Sequence, residues 1–422
     1  MKRISILFAA AFCANAAAQQ PVTHAAQGFS ADEAAAIQKS YEPGQTAAGG
    51  DQTLYMYLNM PQFFPHQRVA RAGVVRELPV KINPKIGGVK VKTSLGEQTL
   101  DEMLADPRSR AQGYIVVQHG KVVYEKYPGM RPDDAHLWWS SAKTLAGTIA
   151  AQLVAEGKLD ADKTIDEYLP EFASSGWAGT RIRDLAHQAS GINAEESKLE
   201  AYGSPKYELS RLIFAERILA PPAGTPVLSH RDALMSMTRK RPSGEAFEYS
   251  SANTNMLGLV LERVTGERYA DLVAERIWSK IGAEGDAAMG LTPQGDAIAH
   301  GMFSSRLRDM ARFGMAFTPS GAKSGVASKQ VLEMAQHDGN PDVFVKGAKP
   351  TMLAAVLGEA PVSCAWQWDA AFADGDLYKG GFHGQGLYVS PSRDAVVAVF
   401  STSNERAAQS YARAIVTSGA LK

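Results

Sequence analysis

The chain has 422 residues, 45% of them apolar and 21% charged, a composition typical of a globular protein with a large core. Its 44 basic and 44 acidic residues balance, so no surplus of positive charge indicates a nucleic acid or an anionic membrane as a partner. The nine histidines include no closely spaced pair of the kind that binds catalytic zinc, and no Gly-x-Ser-x-Gly motif marks an α/β-hydrolase nucleophile.

The N-terminus has the features of a secretory signal. A basic start followed by an apolar run that ends in small residues predicts a signal peptide over residues 1–18. We therefore expect a periplasmic or secreted protein with no stable membrane insertion after cleavage. Because Cys13 lies inside this signal, the mature chain keeps only Cys364 and has no internal disulfide, and we expect Cys364 to be a buried thiol.

Turn residues and apolar spacing divide the rest of the chain into elements. Residues 19–50 resemble a loosely ordered leader with one helix over 30–40, and the proline-containing stretch 51–96 resembles an irregular extension on the main body. Two β-hairpins are predicted, over 114–124 around a His-Gly turn and over 384–401. The other expected elements are helices over 144–156, 164–172, 182–187, 252–265, 269–281, 305–317 and 404–419, and a strand over 365–368.

Strands at both ends of the chain with helices between them predict an α/β (α+β) fold. In this fold the two ends form an antiparallel sheet flanked by helices, and a mostly helical lobe is inserted between them. The corresponding boundaries are an N-terminal extension over 19–98, a sheet domain over 99–143 and 300–422, and a mostly helical domain over 144–299.

The first chemical motif is Ser140-x-x-Lys143, which follows two tryptophans and opens a predicted helix. Residues three apart lie on one face of a helix, so the lysine amine can reach the serine hydroxyl. The N–H groups and the dipole at a helix N-terminus also favour an alkoxide there. We interpret Ser140 as a nucleophile, although the same spacing also fits a serine N-cap followed by a surface lysine.

A second candidate element is Tyr249-Ser250-Ser251, which stands just before a predicted helix. A phenol becomes a usable base when a neighbouring ammonium, such as that of Lys143, stabilises its phenolate. Alternatively Lys143 is itself neutral and takes the proton, which requires its pKa to fall by roughly 3 pH units. The sequence leaves both routes open.

The third element, Lys379-Gly380-Gly381, opens a predicted strand. Glycine leaves room for a substrate carbonyl against the strand edge, where backbone N–H groups can hold an oxyanion. We expect the two donors to be the N–H of Ser140 and one N–H group near residues 381–385.

In order and spacing these elements resemble the serine β-lactamase and penicillin-binding-protein superfamily, and within it the class C-like branch. The resemblance spans residues 113–417, and a Gly-Phe-His-Gly-Gln stretch is similar to 6-aminohexanoate-dimer hydrolase-like members. It implies a β-lactamase/transpeptidase-like fold, an acyl-enzyme on Ser140, Lys143 and Tyr249 as proton-transfer groups, and no cofactor or metal. Residues expected to bind the substrate or the oxyanion are Lys379, Gly380, Gly381, His383, Gln385, Ser251, Asn253 and Trp139.

Two departures from the branch affect the expected substrate. Position 251 is serine where the branch has asparagine, with Asn253 as a candidate replacement, and the third element lacks the usual hydroxyl. β-Lactam hydrolysis, and recognition of a substrate carboxylate by that hydroxyl, are therefore in question. His187 is expected to be structural, whereas the motif leaves open whether His383 faces the cleft.

The sequence thus predicts a secreted serine hydrolase that acts on a small ester, amide or peptide-like molecule. Two alternatives remain at this stage. One is a catalytically inactive periplasmic binding or sensor module on the same scaffold, and the other is a true β-lactamase or D-Ala carboxypeptidase. The motifs do not set the natural substrate or the oligomeric state.

Overall fold

The computed structural model of the protein describes residues 28–47, 49–196 and 202–421. The signal peptide predicted over residues 1–18 lies outside these ranges. Within them, no helix is both long enough and apolar enough to span a bilayer.

Antiparallel pairing of the described strands gives a six-stranded sheet in the order β5-β4-β12-β11-β10-β9, a four-stranded sheet in the order β1-β7-β8-β6, and the pair β2-β3. The strands are β1 (His66–Val69), β2 (Lys90–Thr93), β3 (Gly96–Thr99), β4 (Ala111–Gln118), β5 (Lys121–Lys126), β6 (His136–Leu137), β7 (Ala287–Gly290), β8 (Phe303–Ser305), β9 (Ala370–Ala371), β10 (Leu377–Gly380), β11 (Gly386–Ser390) and β12 (Ala395–Ser401).

In the sequence, most of the described α-helices lie between strands β5 and β9 of the six-stranded sheet. They are α1 (Ala31–Ser40), α2 (Gly50–Leu58), α3 (Leu100–Ala105), α4 (Lys143–Ala155), α5 (Ile165–Tyr168), α6 (Ile182–Ala186), α7 (Glu208–Ala215), α8 (His230–Met235), α9 (Ser251–Thr265), α10 (Tyr269–Val273), α11 (Leu307–Met315), α12 (Lys329–His337), α13 (Pro341–Phe344), α14 (Lys349–Leu357) and α15 (Ala407–Thr417). A π-helical turn, Ala274–Trp278, continues α10.

The central strand β12 is buried at every position because helices cover both faces of its sheet. Successive side chains of a strand point to opposite faces. Val396 and Ala398 accordingly belong to the core on the side of helix α11, whereas Val397 and Val399 belong to a second core on the side of helix α15. A strand buried on both faces reads as a continuous apolar run, as residues 395–400 do.

The two predicted hairpins both lie in this sheet, so the fold predicted from the sequence is confirmed. The β4–β5 hairpin turns at His119 and Gly120, which have the positive φ values of 50° and 70° that a tight hairpin turn requires. The second hairpin joins β11 to β12, and β12 pairs with β4, so the two ends of the chain meet in the sheet. The predicted boundaries at residues 98, 143 and 299 remain predictions.

Two local predictions are wrong. Residues 365–368 form a turn instead of a strand, because Trp366 and Gln367 have φ values of 47° and 67°, in a left-handed region that strands exclude. The segment 51–96 is more regular than an irregular extension, because helix α2 is largely buried and strand β1 pairs with β7.

Helix α4 passes very close to the turn at residues 365–368. A Cβ atom at Gly147 would lie 1.8 Å from the carbonyl oxygen of Trp366, so this position of the helix accepts only glycine. The contact sets the depth of α4 in the core, and with it the position of Lys143 at the start of the helix.

Gly147→Ala should therefore destabilise the protein by about 1–3 kcal/mol, the usual result of overpacking a core. The matched control is Gly258→Ala in helix α9, where a Cβ atom would meet the Cβ atom of Ala299 at an ordinary 3.5 Å. Because glycine disfavours a helix interior, the control should gain up to about 1 kcal/mol. Urea unfolding measures both, and equal stability of the two variants would contradict the packing described.

Candidate active site

Ser140 lies in the 3-10 turn Trp139–Ala142, immediately before helix α4. The Nζ atom of Lys143 lies 3.1 Å from its Oγ atom, so the spacing seen in the sequence brings the amine and the hydroxyl together. Lys143 is fully buried, and its Nζ atom also contacts the Oγ atom of Ser251 at 3.0 Å and the carbonyl oxygen of His300 at 2.9 Å.

Burial is the main influence on the ionisation of Lys143 and lowers its pKa to about 7. The carboxylate of Glu196 opposes this change, whereas the ammonium groups of Lys379 and Lys349 add to it. A large share of the amine is therefore unprotonated at neutral pH. Its lone pair can then accept the proton of the serine hydroxyl.

The carbonyl group that accepts from Lys143 is held in place by a buried network. The Nε2 atom of His300 lies 2.9 Å from Oε2 of Glu216, and Asn255 donates to Oε1 of the same carboxylate at 2.6 Å. Burial alone would raise the pKa of Glu216, but His300 and His230 outweigh this effect and lower it to about 2. The carboxylate of Glu216 stays ionised and holds the His300 side chain in place, next to the carbonyl group that contacts Lys143.

Tyr249 lies in the loop before helix α9, and amines surround its ring. The Nζ atoms of Lys349, Lys379 and Lys143 lie 3.2, 4.8 and 5.2 Å from the ring centroid. The Nζ atom of Lys379 also lies 3.4 Å from the phenol oxygen. Burial, reinforced by nearby carboxylates, raises the pKa of Tyr249 well above its usual value. The phenol is therefore protonated at neutral pH and has a proton to donate.

Asp369 joins two of these lysines. Its Oδ1 atom accepts from the Nζ atoms of Lys349 and Lys379 at 2.7 Å each, and its Oδ2 atom accepts from the N–H of Gly380 at 3.1 Å. Burial alone would raise the pKa of Asp369, but the two lysines outweigh this effect and lower it to about 2. The carboxylate thereby ties strand β10 to the start of helix α14.

The end of strand β10 lies against the serine turn. A Cβ atom at Gly381 would lie 2.7 Å from the carbonyl oxygen of Trp138, so this close approach requires glycine. The N–H of Gly381 is used, because it donates to the carbonyl oxygen of Gln385 at 2.7 Å. By contrast, the N–H groups of Ser140 and Phe382 have no hydrogen-bond acceptor in the described part of the chain.

A cavity of about 680 Å³ opens onto Ser140 and Tyr249. Gly44 and Thr46 of the N-terminal extension form part of its wall. Its other lining residues form a large apolar surface with a few charged groups, and include Ile213, Ile218, Leu219, Phe247, Met352, Phe382, Glu195, Glu196, Lys349, Asp369 and Arg406.

The structure brings most of the site residues predicted from the sequence together. They line the cavity or contact a residue that does: Ser140, Lys143, Tyr249, Trp139, Ser251, Lys379, Gly380 and Gly381.

Asn253 and Gln385 do not line this cavity and are engaged elsewhere. The side chain of Asn253 accepts from Ser190 at 2.6 Å and donates to Gln188 at 2.9 Å. Gln385 braces its own loop against strand β12 through both the carbonyl oxygen and the N–H of Ser401. Asn253 therefore does not replace an asparagine that would face a substrate.

His383 does not line the cavity, and its Nδ1 atom lies 2.7 Å from the phenol oxygen of Tyr57. Burial lowers the pKa of His383 to about 3. Cys364 is a buried thiol, as expected, and donates to the carbonyl oxygen of Trp368 at 2.9 Å. Burial raises the pKa of this thiol to about 12, so it is not a nucleophile at neutral pH.

Sequence reasoning missed the charged residues that line the cavity, and three of these contact the predicted site residues: Glu196, Lys349 and Asp369. Glu196 accepts a hydrogen bond from the N–H of Ser251. None of the three stands at a fixed spacing from a motif. Asp369 directly precedes strand β9, so a correct prediction of that strand, paired with β10, would have placed it beside Lys379.

A family model described as Beta-lactamase matches residues 97–420 of the sequence. The chain belongs to the beta-lactamase family. The 6-aminohexanoate-dimer hydrolase of Paenarthrobacter ureafaciens is 28% identical over 309 residues, which cover 72% of this chain and 74% of that protein. Together with the family match, this relative identifies the chain as a serine hydrolase.

Solved structures agree with the fold. One from Bacillus anthracis superposes with a TM-score of 0.67 at 24% identity, over 84% of this chain and 90% of its own. Another, EstCE1, described as a hydrolase with promiscuous acyltransferase activity, superposes with a TM-score of 0.56 at 16% identity, over 75% of this chain and 99% of its own. They confirm the β-lactamase/transpeptidase-like fold predicted from the sequence.

The charge network of the site generates a stability prediction. Asp369→Asn should lower the free energy of unfolding at pH 7 by about 3 kcal/mol, because it leaves the ammonium groups of Lys349 and Lys379 buried without their counter-charge. Because the folded-state pKa of Asp369 is lowered to about 2, its contribution is present above about pH 4 and is lost as the pH falls toward 2. The difference in the free energy of unfolding between Asp369→Asn and the wild type should therefore become smaller as the pH falls from 4 toward 2.

Urea unfolding at pH 7 and pH 3 measures this difference. The control is Asp286→Asn, whose ion pair with Arg68 is exposed and should contribute little at either pH. If Asp369→Asn were as stable as the control at pH 7, the buried network would not have the strength described.

Proposed function

We propose that this hydrolase cleaves a linear ester or amide through a covalent acyl-enzyme on Ser140. The observation that supports the proposal most strongly is the buried amine of Lys143, 3.1 Å from the serine Oγ atom. A weak nucleophile such as serine needs an adjacent base, and a base with a pKa near the working pH is the most effective.

Lys143 is the general base in this mechanism. Its neutral Nζ atom takes the hydroxyl proton as the Oγ atom of Ser140 attacks the carbonyl carbon. The N–H groups of Ser140 and Phe382 stabilise the resulting oxyanion. Tyr249 then donates its proton to the leaving alcohol or amine as the C–O or C–N bond breaks, and Lys143 returns the serine proton to the phenol.

A water molecule completes the cycle. Lys143 takes one proton from the water as its oxygen attacks the acyl carbon, and the proton returns to the Oγ atom of Ser140 when the acyl–oxygen bond breaks. The carboxylic acid leaves, and the enzyme is restored. Lys143 therefore acts as the base in both half-reactions.

The cavity favours a long aliphatic substrate over a compact ring. Its apolar wall suits a methylene chain, and the guanidinium group of Arg406 on its wall contacts the Sδ atom of Met352 but has no carboxylate partner among the described residues. We infer that Arg406 faces an anionic end of the substrate. A relative named for the dimer of 6-aminohexanoate, a linear aliphatic amide, is consistent with this class.

The alternatives receive less support. Asn253 is engaged away from the cavity and position 251 is a serine that contacts Lys143, so neither residue offers an amide to the side chain of a β-lactam. An inactive binding or sensor module would not need an amine held beside the serine hydroxyl. We also propose, from residues 1–18 alone, that the protein is periplasmic or secreted.

Replacing the nucleophile tests the covalent step directly. Ser140→Ala should leave no acyl adduct after incubation with a p-nitrophenyl alkanoate and should slow its hydrolysis by about 10⁴-fold or more. Intact-mass measurement detects the adduct. The control is Ser141→Ala, which should acylate like the wild type because the Ser141 hydroxyl is buried with no hydrogen-bond partner among the described residues. An adduct on Ser140→Ala would rule out Ser140 as the nucleophile.

The choice of base makes a prediction about pH. The acylation rate of the wild type should fall about tenfold per pH unit below pH 7, because the pKa of Lys143 is lowered to about 7 and the protonated amine cannot accept the serine proton. Single-turnover kinetics with a p-nitrophenyl ester between pH 5 and pH 10 measure it. If the acylation rate instead began to fall already below about pH 10, the base would be an amine of ordinary pKa or the phenolate of Tyr249.

A further inference from the structure

The site contains a third lysine that belongs to none of the three motif elements. Lys349 is the first residue of helix α14 and lines the cavity. Its Nζ atom lies 3.2 Å from the centroid of the Tyr249 ring and 2.7 Å from Oδ1 of Asp369. An ammonium group at this distance from an aromatic face is attracted to it, so Lys349 holds the ring from one side.

The charges around Lys143 balance only when Lys349 is included. The acidic groups that act on the Lys143 amine are Glu196 and Asp369, and the basic groups are Lys379 and Lys349. With both lysines charged, these four neighbours sum to zero. Without Lys349 they would sum to one negative charge, which favours protonation of the Lys143 amine.

Burial lowers the pKa of Lys349 to about 7 as well, so its amine competes with that of Lys143 for a proton, and geometry decides which of the two takes it first. Lys349 has a carboxylate oxygen at 2.7 Å, whereas the contacts of Lys143 are two hydroxyl groups and a carbonyl group. The two nitrogens lie 5.2 and 3.2 Å from the centroid of the same Tyr249 ring, so they are close enough for like charges to repel. A proton on Lys349 therefore disfavours a proton on Lys143.

We propose that Lys349 is a positioning residue of this active site, which clamps the Tyr249 ring and supplies the positive charge that keeps the Lys143 amine unprotonated. The inference rests on the proposed function, in which Lys143 is the base. It extends that function because it assigns a task to a residue outside the motifs.

Lys349→Met removes the charge but keeps an unbranched side chain, and Lys349→Arg keeps the charge. In Lys349→Met the decline of the acylation rate at low pH, here called the acid limb, should begin about one pH unit higher than in the wild type. At pH 6 the rate, relative to its maximum at high pH, should therefore be about tenfold lower than in the wild type. Lys349→Arg should keep the limb of the wild type. The measurement is single-turnover acylation by a p-nitrophenyl ester between pH 5 and pH 10.

A purely structural role would lower the rate of Lys349→Met by the same factor at every pH, and an unmoved limb would overturn the proposal. Should Lys349→Met fail to fold, as judged by circular dichroism, Lys349→Gln makes the same change of charge and is held to the same criterion. If the wild type itself formed no adduct on Ser140, the proposed function would fail. If the wild type forms the adduct but Lys349→Met shows the pH dependence of the wild type, only the proposed role of Lys349 is refuted.

Discussion

The burial of one amine is the constraint on which the rest of the site depends. An ammonium group is strongly disfavoured in an apolar interior unless a carboxylate pairs with it. Lys143 is buried beside hydroxyl and carbonyl groups, and its burial lowers its pKa to about 7. The fold thereby holds a lysine of lowered pKa one helical turn from Ser140, where the proposed mechanism uses it as the base.

The scaffold makes this burial possible by bringing distant parts of the chain together. Helix α4 carries Lys143 into the core and is seated against the turn at Trp366 through Gly147. Strand β10 brings Lys379 to Tyr249 and, through the close approach at Gly381, brings the residues after the strand to the serine turn. Each of these contacts joins residues far apart in the sequence, so the geometry of the site depends on the complete fold.

Local signals predicted much of this arrangement. The hairpins follow from apolar strands around turn residues, and the pair Ser140 and Lys143 follows from helical spacing. Lys349 and Asp369 could not be predicted in this way, because their roles arise from contacts with Tyr249 and Lys379 that no spacing encodes. The prediction of a strand over 365–368 is wrong for a related reason. The backbone at Trp366 is left-handed where it packs against helix α4, and this tertiary contact overrides the local β propensity.

The most direct test of the account is the titration of Lys143 itself. Protein labelled with ¹³C at the lysine Cε atoms gives NMR signals that report the ionisation of each amine, and the signal of Lys143 is assigned by its loss in Lys143→Arg. The account predicts a pKa near 7 for this signal. A signal that titrates at about 10, as an exposed lysine does, would contradict it.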